Sequence, residues 1–155
     1  MKVRAVPLVL ALCFFGAAMC YGADDLFMGT WKLNEAKSRL RAGGPKNNTV
    51  VYEASGDSVK VTIDGSGHDG TPTHSEWTGK FDGRDYPVTG DSTEDERSYK
   101  RIDDHTLAVT VKKGGKIIES GRIVLSADGK TRTVTMHGTD AKGMKTSSTA
   151  VYDKQ

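Results

Sequence analysis

The chain has 155 residues, 22 of them basic and 20 acidic, with 36% hydrophobic residues, a length and balance that fit one globular domain. Lys2 and Arg4 lie in an N-terminal segment that reads as a removable leader. From Ala23 onward the two signs balance at 20 each, which argues against a nucleic-acid binder, whose affinity rests on neutralising phosphates. Cys13 and Cys20 fall in the same segment, so the domain that follows is expected to hold together by its core, without disulfides or thiol chemistry.

Residues 1–22 place two cations before an apolar run from Ala5 to Met19, the order of a secretory signal peptide. That run, about 15 residues, is too short to span a bilayer comfortably. Cys20 and Gly22 supply small residues for a cut before Ala23, so a periplasmic or secreted domain over residues 23–155 is expected, with no transmembrane segment. Ala17-Ala18-Met19-Cys20 also offers a cysteine to a lipid anchor, but Met19 is a poor residue before it, and simple cleavage is preferred.

Beyond Ala23 the chain is punctuated by Gly56-Asp57, Asp69-Gly70, Asp82-Gly83, Gly114-Gly115, Asp128-Gly129 and Lys142-Gly143. Between these turns lie runs rich in Val, Ile, Thr and Tyr with alternating polarity, the signature of half-buried strands joined by hairpins. The pattern predicts strands over Met28 to Leu33, Thr49 to Ala54, Ser58 to Asp64 and Thr73 to Phe81, with a short one at Asp85 to Val88. It continues with Glu96 to Ile102, Thr106 to Lys112, Lys116 to Leu125, Thr131 to Gly138 and Lys145 to Tyr152. Only Glu35 to Arg41 has helical composition, and it is too short to be stable unless packed. Sequential hairpins with short turns favour an all-β, antiparallel up-and-down barrel of 8 to 10 strands over a Greek-key sandwich.

The segment Phe27-Met28-Gly29-Thr30-Trp31-Lys32-Leu33 resembles the Gly-x-Trp opening of the lipocalin and fatty-acid-binding barrels. The resemblance continues loosely through Asn34 to Ser38, through Tyr86-Pro87-Val88-Thr89-Gly90, which is similar to bacterial exported lipocalin-like domains, and through Val151 to Lys154. It implies that Trp31 packs across the closed end of a barrel. The chain departs from fatty-acid-binding proteins in two respects: Ala150 stands where their lipid-binding arginine precedes the tyrosine of the last strand, here Tyr152, and only Asn34 to Asn48 separates the first two strands, which leaves no room for a helical lid.

If Trp77 and Phe81 point inward, so do Ser75 and Gly79, while Val59, Val61 and Ile63 and then Leu107, Val109 and Val111 form further inward rows. Thr131, Thr133, Thr135 and His137 form one face of their strand, with Arg132, Val134 and Met136 on the other. Met144, Thr146, Ser148, Ala150 and Tyr152 share a face of the last strand. A small, largely apolar ligand is therefore expected against Trp77 and Phe81, oriented by the Ser148 and Tyr152 hydroxyls. A free carboxylate is not expected as its main handle unless Arg122 turns inward, an outward solvated Arg122 being preferred.

His68, Asp69, His74 and Glu76 match no zinc spacing, so no metal or other cofactor is expected. No Gly-x-Ser-x-Gly elbow occurs, and Asp103-Asp104 and Glu94-Asp95-Glu96 read as turn and loop, so no enzymatic activity is expected. Asn47-Asn48-Thr49 is a formal glycosylation sequon. The main expectation is thus an extracytoplasmic, monomeric binding protein for a small apolar molecule. The alternative is a structural or interaction module whose barrel is filled by its own side chains.

Overall fold

Alternating polarity resolves into ten antiparallel strands in a computed structural model that describes residues 25–139 and 143–155. In chain order these are β1 (Gly29–Leu33), β2 (Lys46–Ser55), β3 (Ser58–Ser66), β4 (Pro72–Gly79), β5 (Tyr86–Thr89), β6 (Glu96–Asp103), β7 (Thr106–Lys113), β8 (Lys116–Leu125), β9 (Thr131–Thr139) and β10 (Lys145–Lys154). Each strand pairs with its sequence neighbours, and β1 also pairs with β10, giving a closed barrel. The expected leader, residues 1–22, lies outside the described residues.

Local chemistry sets the hairpins. Gly114 and Gly115 between β7 and β8 have φ of 56° and 72°, a pair of left-handed residues that matches the right-handed twist of the flanking strands. At Gly79 the demand is for space rather than dihedral freedom: an added Cβ would stand 2.5 Å from Cγ of Tyr86 and 2.7 Å from Cζ2 of Trp77.

The expected helix over Glu35 to Arg41 contracts to one 3-10 turn, Glu35–Lys37. Asn34 caps it, accepting from the Lys37 N–H at 3.2 Å. Ser38 then accepts from the Val151 N–H at 2.9 Å, and Arg39 forms a bridge with Thr149. Backbone pairing with β10 has replaced the further helical turns that this short segment could not sustain alone.

The inward rows meet in one core. Val59, Val61, Leu107, Val109, Ile123 and Leu125 are all buried. One end of the barrel is filled by aromatic rings: Trp77 stacks on Phe81 with centroids 6.5 Å apart, and Tyr99 meets Trp77 edge-on at 4.8 Å. Phe27 reaches Phe81 at 6.1 Å. Arg101 lies 5.2 Å from the Phe27 centroid and 5.3 Å from that of Phe81, and its guanidinium pairs with Asp25. Trp31 is fully buried at this closed end, its indole N–H donating to the Phe27 carbonyl at 2.9 Å.

Replacing Trp31 by Ala should lower the unfolding free energy by about 3 to 5 kcal/mol, since it empties a large, fully enclosed site. Urea denaturation followed by circular dichroism measures this; a loss below about 1 kcal/mol would mean that the closed end repacks without the indole.

Candidate functional site

Beyond the aromatic packing of the closed end lies a cavity of about 870 Å³ that opens at the other end. Its apolar wall comes from the inward rows, including Val50, Ile63, Val109, Val111, Ile123 and Val134. The mouth is ringed by the β1–β2 connection, the β3–β4 and β5–β6 loops, and the open ends of β8 and β10.

Two guanidinium groups face this interior, and they are treated differently. Arg97, on β6, is buried and pairs with the equally buried Glu94. Its Nε donates to Oε2 at 3.1 Å, its Nη2 pairs with Oε1, and its Nη1 donates to the Tyr99 hydroxyl at 3.2 Å. This is a satisfied two-pronged ion pair. Burial pushes the Tyr99 hydroxyl well above its ordinary value, with Arg97 pulling the other way, so it accepts from Arg97 as a neutral phenol.

Arg132, on β9, is only 3% exposed and has no carboxylate partner among the described residues. Its Nε and Nη1 have no hydrogen-bond acceptor. Aromatic faces surround the cation instead, with centroids at 4.5 Å for Tyr152, 5.1 Å for Tyr52 and 5.5 Å for Trp31. Burial also raises the Tyr152 hydroxyl, and the Arg132 charge opposes that shift. Cation–π contacts stabilise a desolvated guanidinium by roughly 2 kcal/mol or more, but they satisfy none of its N–H donors. Two buried N–H donors thus stand without acceptors at the floor of the cavity, where an anionic or other acceptor group would satisfy them.

The residues expected to form the site divide. Tyr152 and Ser148 both line the cavity, from the β10 face that also carries Thr146 and Ala150. Trp77 and Phe81 are buried in the closed-end packing and do not line it. Phe81 lies past the end of β4, and the Trp77 indole is tied down by donating to the Arg97 carbonyl at 2.8 Å. Arg122 is exposed on the outer wall: Ile123 and Leu125 are buried, and strand alternation therefore turns Arg122 and Val124 to solvent.

The inward cation without a carboxylate partner is thus Arg132, which strand alternation places on a face with Val134 and Met136 and to which the sequence assigns no role. Its signal was the company it keeps, because Val134 and Met136 share its parity and line the same cavity. Cross-strand register completes the constellation by setting Arg132 directly opposite Tyr152.

Outside the barrel, His74 donates from Nδ1 to the Asp64 carboxylate at 2.7 Å, and its Nε2 lies 3.8 Å from Glu76. No group of three or more His, Cys, Asp or Glu side chains among the described residues is arranged to hold a metal ion. No helix among them is long and apolar enough to cross a membrane.

No protein-family profile and no curated protein sequence matches the chain. Among solved structures it is similar to EF1p2_mFAP2b bound to DFHBI, with a TM-score of 0.50 and 14% identity over 84% of this chain and 94% of that one. It is also similar to a redesigned beta barrel, mFAP1, bound to DFHBI, with a TM-score of 0.46 and 16% identity over 83% and 95% of the two chains. At such identities the likeness concerns the fold: a closed antiparallel barrel with almost no helix.

The contrast between the two guanidiniums can be measured. Glu94→Ala strands Arg97 as an unpaired buried charge and should cost about 3 to 5 kcal/mol, whereas Glu94→Leu with Arg97→Met should restore most of it. Equal losses from the single and double variants in urea titrations would show that the pair contributes shape rather than charge compensation.

Proposed function

We propose that this protein is an extracytoplasmic carrier or buffer of a small, largely apolar molecule, held inside the barrel with an acidic group on Arg132. The observation that carries this reading is the buried, acceptor-less Arg132 guanidinium at the floor of an apolar cavity. Leaving such a charge uncompensated is costly, and an anionic ligand supplies the missing partner. The solved structure of the similar barrel EF1p2_mFAP2b is bound to DFHBI, which accords with a small-molecule role for this fold. The alternative of an interaction module with a filled barrel has less support, since a cavity of about 870 Å³ remains among the side chains.

In this reading the apolar wall supplies affinity and Arg132 supplies direction, aided by the Tyr152 and Ser148 hydroxyls. Trp77 and Phe81 contribute indirectly, as the packed floor beneath Tyr99. An acidic handle departs from the sequence expectation, in which a free carboxylate is not the main handle unless Arg122 turns inward, and Arg122 faces solvent. Export rests on the leader over residues 1–22, and the intact mass of the extracytoplasmic protein tests it: a chain retaining Met1, or lipid on Cys20, would overturn simple cleavage near Ala23. In this reading the protein acts as a monomer and without catalysis.

Native mass spectrometry of protein taken from its source, followed by titration of Trp fluorescence with the released compound and its methyl ester, tests the site. Arg132→Met should weaken binding of the free acid roughly ten- to a hundredfold, the equivalent of a lost charge-assisted hydrogen bond, and change binding of the ester little. Ligand-free Arg132→Met should be as stable as the parent or more so. Equal affinity of the parent for acid and ester would overturn the assignment of Arg132.

A further inference from the structure

Arg132 occupies the floor of the cavity, and a charge without a partner stands toward its mouth as well. Glu119, on β8, lines the cavity together with Ile118. A β-bulge turns these two successive residues to the same side. Val111 pairs with Glu119 but Lys112 with Ile117, so Ile118 is the extra residue of β8. Ile118 packs against the core, while Ile117 is left outside. Gly138, directly opposite Glu119 on β9, makes room for the acidic side chain: an added Cβ there would stand 2.9 Å from Cγ of Glu119.

No described residue forms a hydrogen bond or an ion pair with Glu119. The cation that acts on it, Arg97, is already committed to Glu94 and Tyr99. Partial burial raises the Glu119 carboxyl above its ordinary value, the charge of Glu94 adds to this and Arg97 opposes it. Glu119 remains open to solvent, so a ligand entering by the mouth can reach it.

We propose that Glu119 is a second subsite of the cavity, receiving the protonated amine of a molecule whose acid rests on Arg132, so that the ligand is an elongated apolar zwitterion. This deepens the carrier role proposed above and rests on it. Electrostatics selects an amine over a hydroxyl or a second acid. Glu94, Arg97 and Glu119 together leave one negative charge in excess, which a hydroxyl would not compensate and an acid would oppose. Spacing sets the length of the molecule. Arg132 stands opposite Leu125 and Gly138 opposite Glu119, six residues further along β9, so the two positions lie about 20 Å apart along the strand. An extended chain of about a dozen carbons, with bonds of about 1.5 Å and a hydrogen bond of about 3 Å at each end, spans a distance of that order.

Isothermal titration of the protein with 12-aminododecanoic acid, dodecanoic acid and dodecylamine tests the subsite. The parent should bind 12-aminododecanoic acid at least about tenfold more tightly than dodecanoic acid, the gain from one charge-assisted hydrogen bond. Glu119→Gln should abolish this preference while leaving the affinity for dodecanoic acid unchanged. Glu119→Lys should invert it, making dodecanedioic acid the tighter ligand, a gain that damaged folding cannot produce. Dodecylamine separates the two ends: its binding should be lost in Glu119→Gln and kept in Arg132→Met. If the preference for the amine follows Glu119 while dodecanoic acid binds Arg132→Met as it binds the parent, the Glu119 subsite stands and the acidic handle on Arg132 falls. Equal affinity of the parent for 12-aminododecanoic and dodecanoic acids, a preference that survives in Glu119→Gln, or binding of none of the three compounds would each overturn the subsite.

Discussion

β1 is five residues long and hydrogen-bonds along both edges, with Gly29 opposite Tyr52 of β2 and Leu33 opposite Tyr152 of β10. Without it the barrel would be an open sheet with two long unpaired edges. Its middle residue, Trp31, faces inward and carries the load of that closure, filling the closed end and covering one side of Arg132. The cavity exists because this seam is shut: an open sheet has no interior in which a guanidinium can be desolvated. Fold and candidate site therefore share one set of contacts.

Within the closed wall, polarity is handled by two different rules. At Glu94 and Arg97 opposite charges share their desolvation, and the pair together with Tyr99 fixes one arrangement of the upper interior. At Arg132 the surroundings are aromatic, which softens the cost of burial without completing the hydrogen bonding. A protein selected only for stability would have either the same solution at both places or an apolar residue at the second. The proposed role of Arg132 rests on this difference.

Much of the fold was legible because strand alternation is a local property. The rows Val59, Val61, Ile63 and Leu107, Val109, Val111 fall inside as their spacing predicts, and Trp31 lies at the closed end. The site was harder to read, because it is made by pairing between strands. In Thr-Arg-Thr-Val-Thr-Met the apolar Val134 and Met136 share the parity of Arg132, but that this face is the interior is settled only when β10 sets Tyr152 opposite Arg132 and the barrel closes. Trp77 and Phe81 were correctly read as inward but lie below the cavity floor, since alternation gives the face of a residue and not its height along the barrel axis. Arg122 was decided by its neighbours Ile123 and Leu125, whose larger apolar burial takes the interior parity of β8.

The barrel wall is not uniformly strong. β5 has only four residues, and its register with each neighbour extends over two: Glu76 with Thr89 and Trp77 with Val88 on one side, Tyr86 with Arg97 and Pro87 with Glu96 on the other. Pro87 has no N–H to add to the ladder. A stave so thinly joined has the smallest free-energy gap between closed and locally open forms, and such segments exchange their amide hydrogens through brief sub-global openings while the rest of the molecule stays folded. Trp77 on β4 and Arg97 on β6 pair with β5 from its two sides, so a brief opening of β5 would loosen the wall next to the Glu94–Arg97 pair.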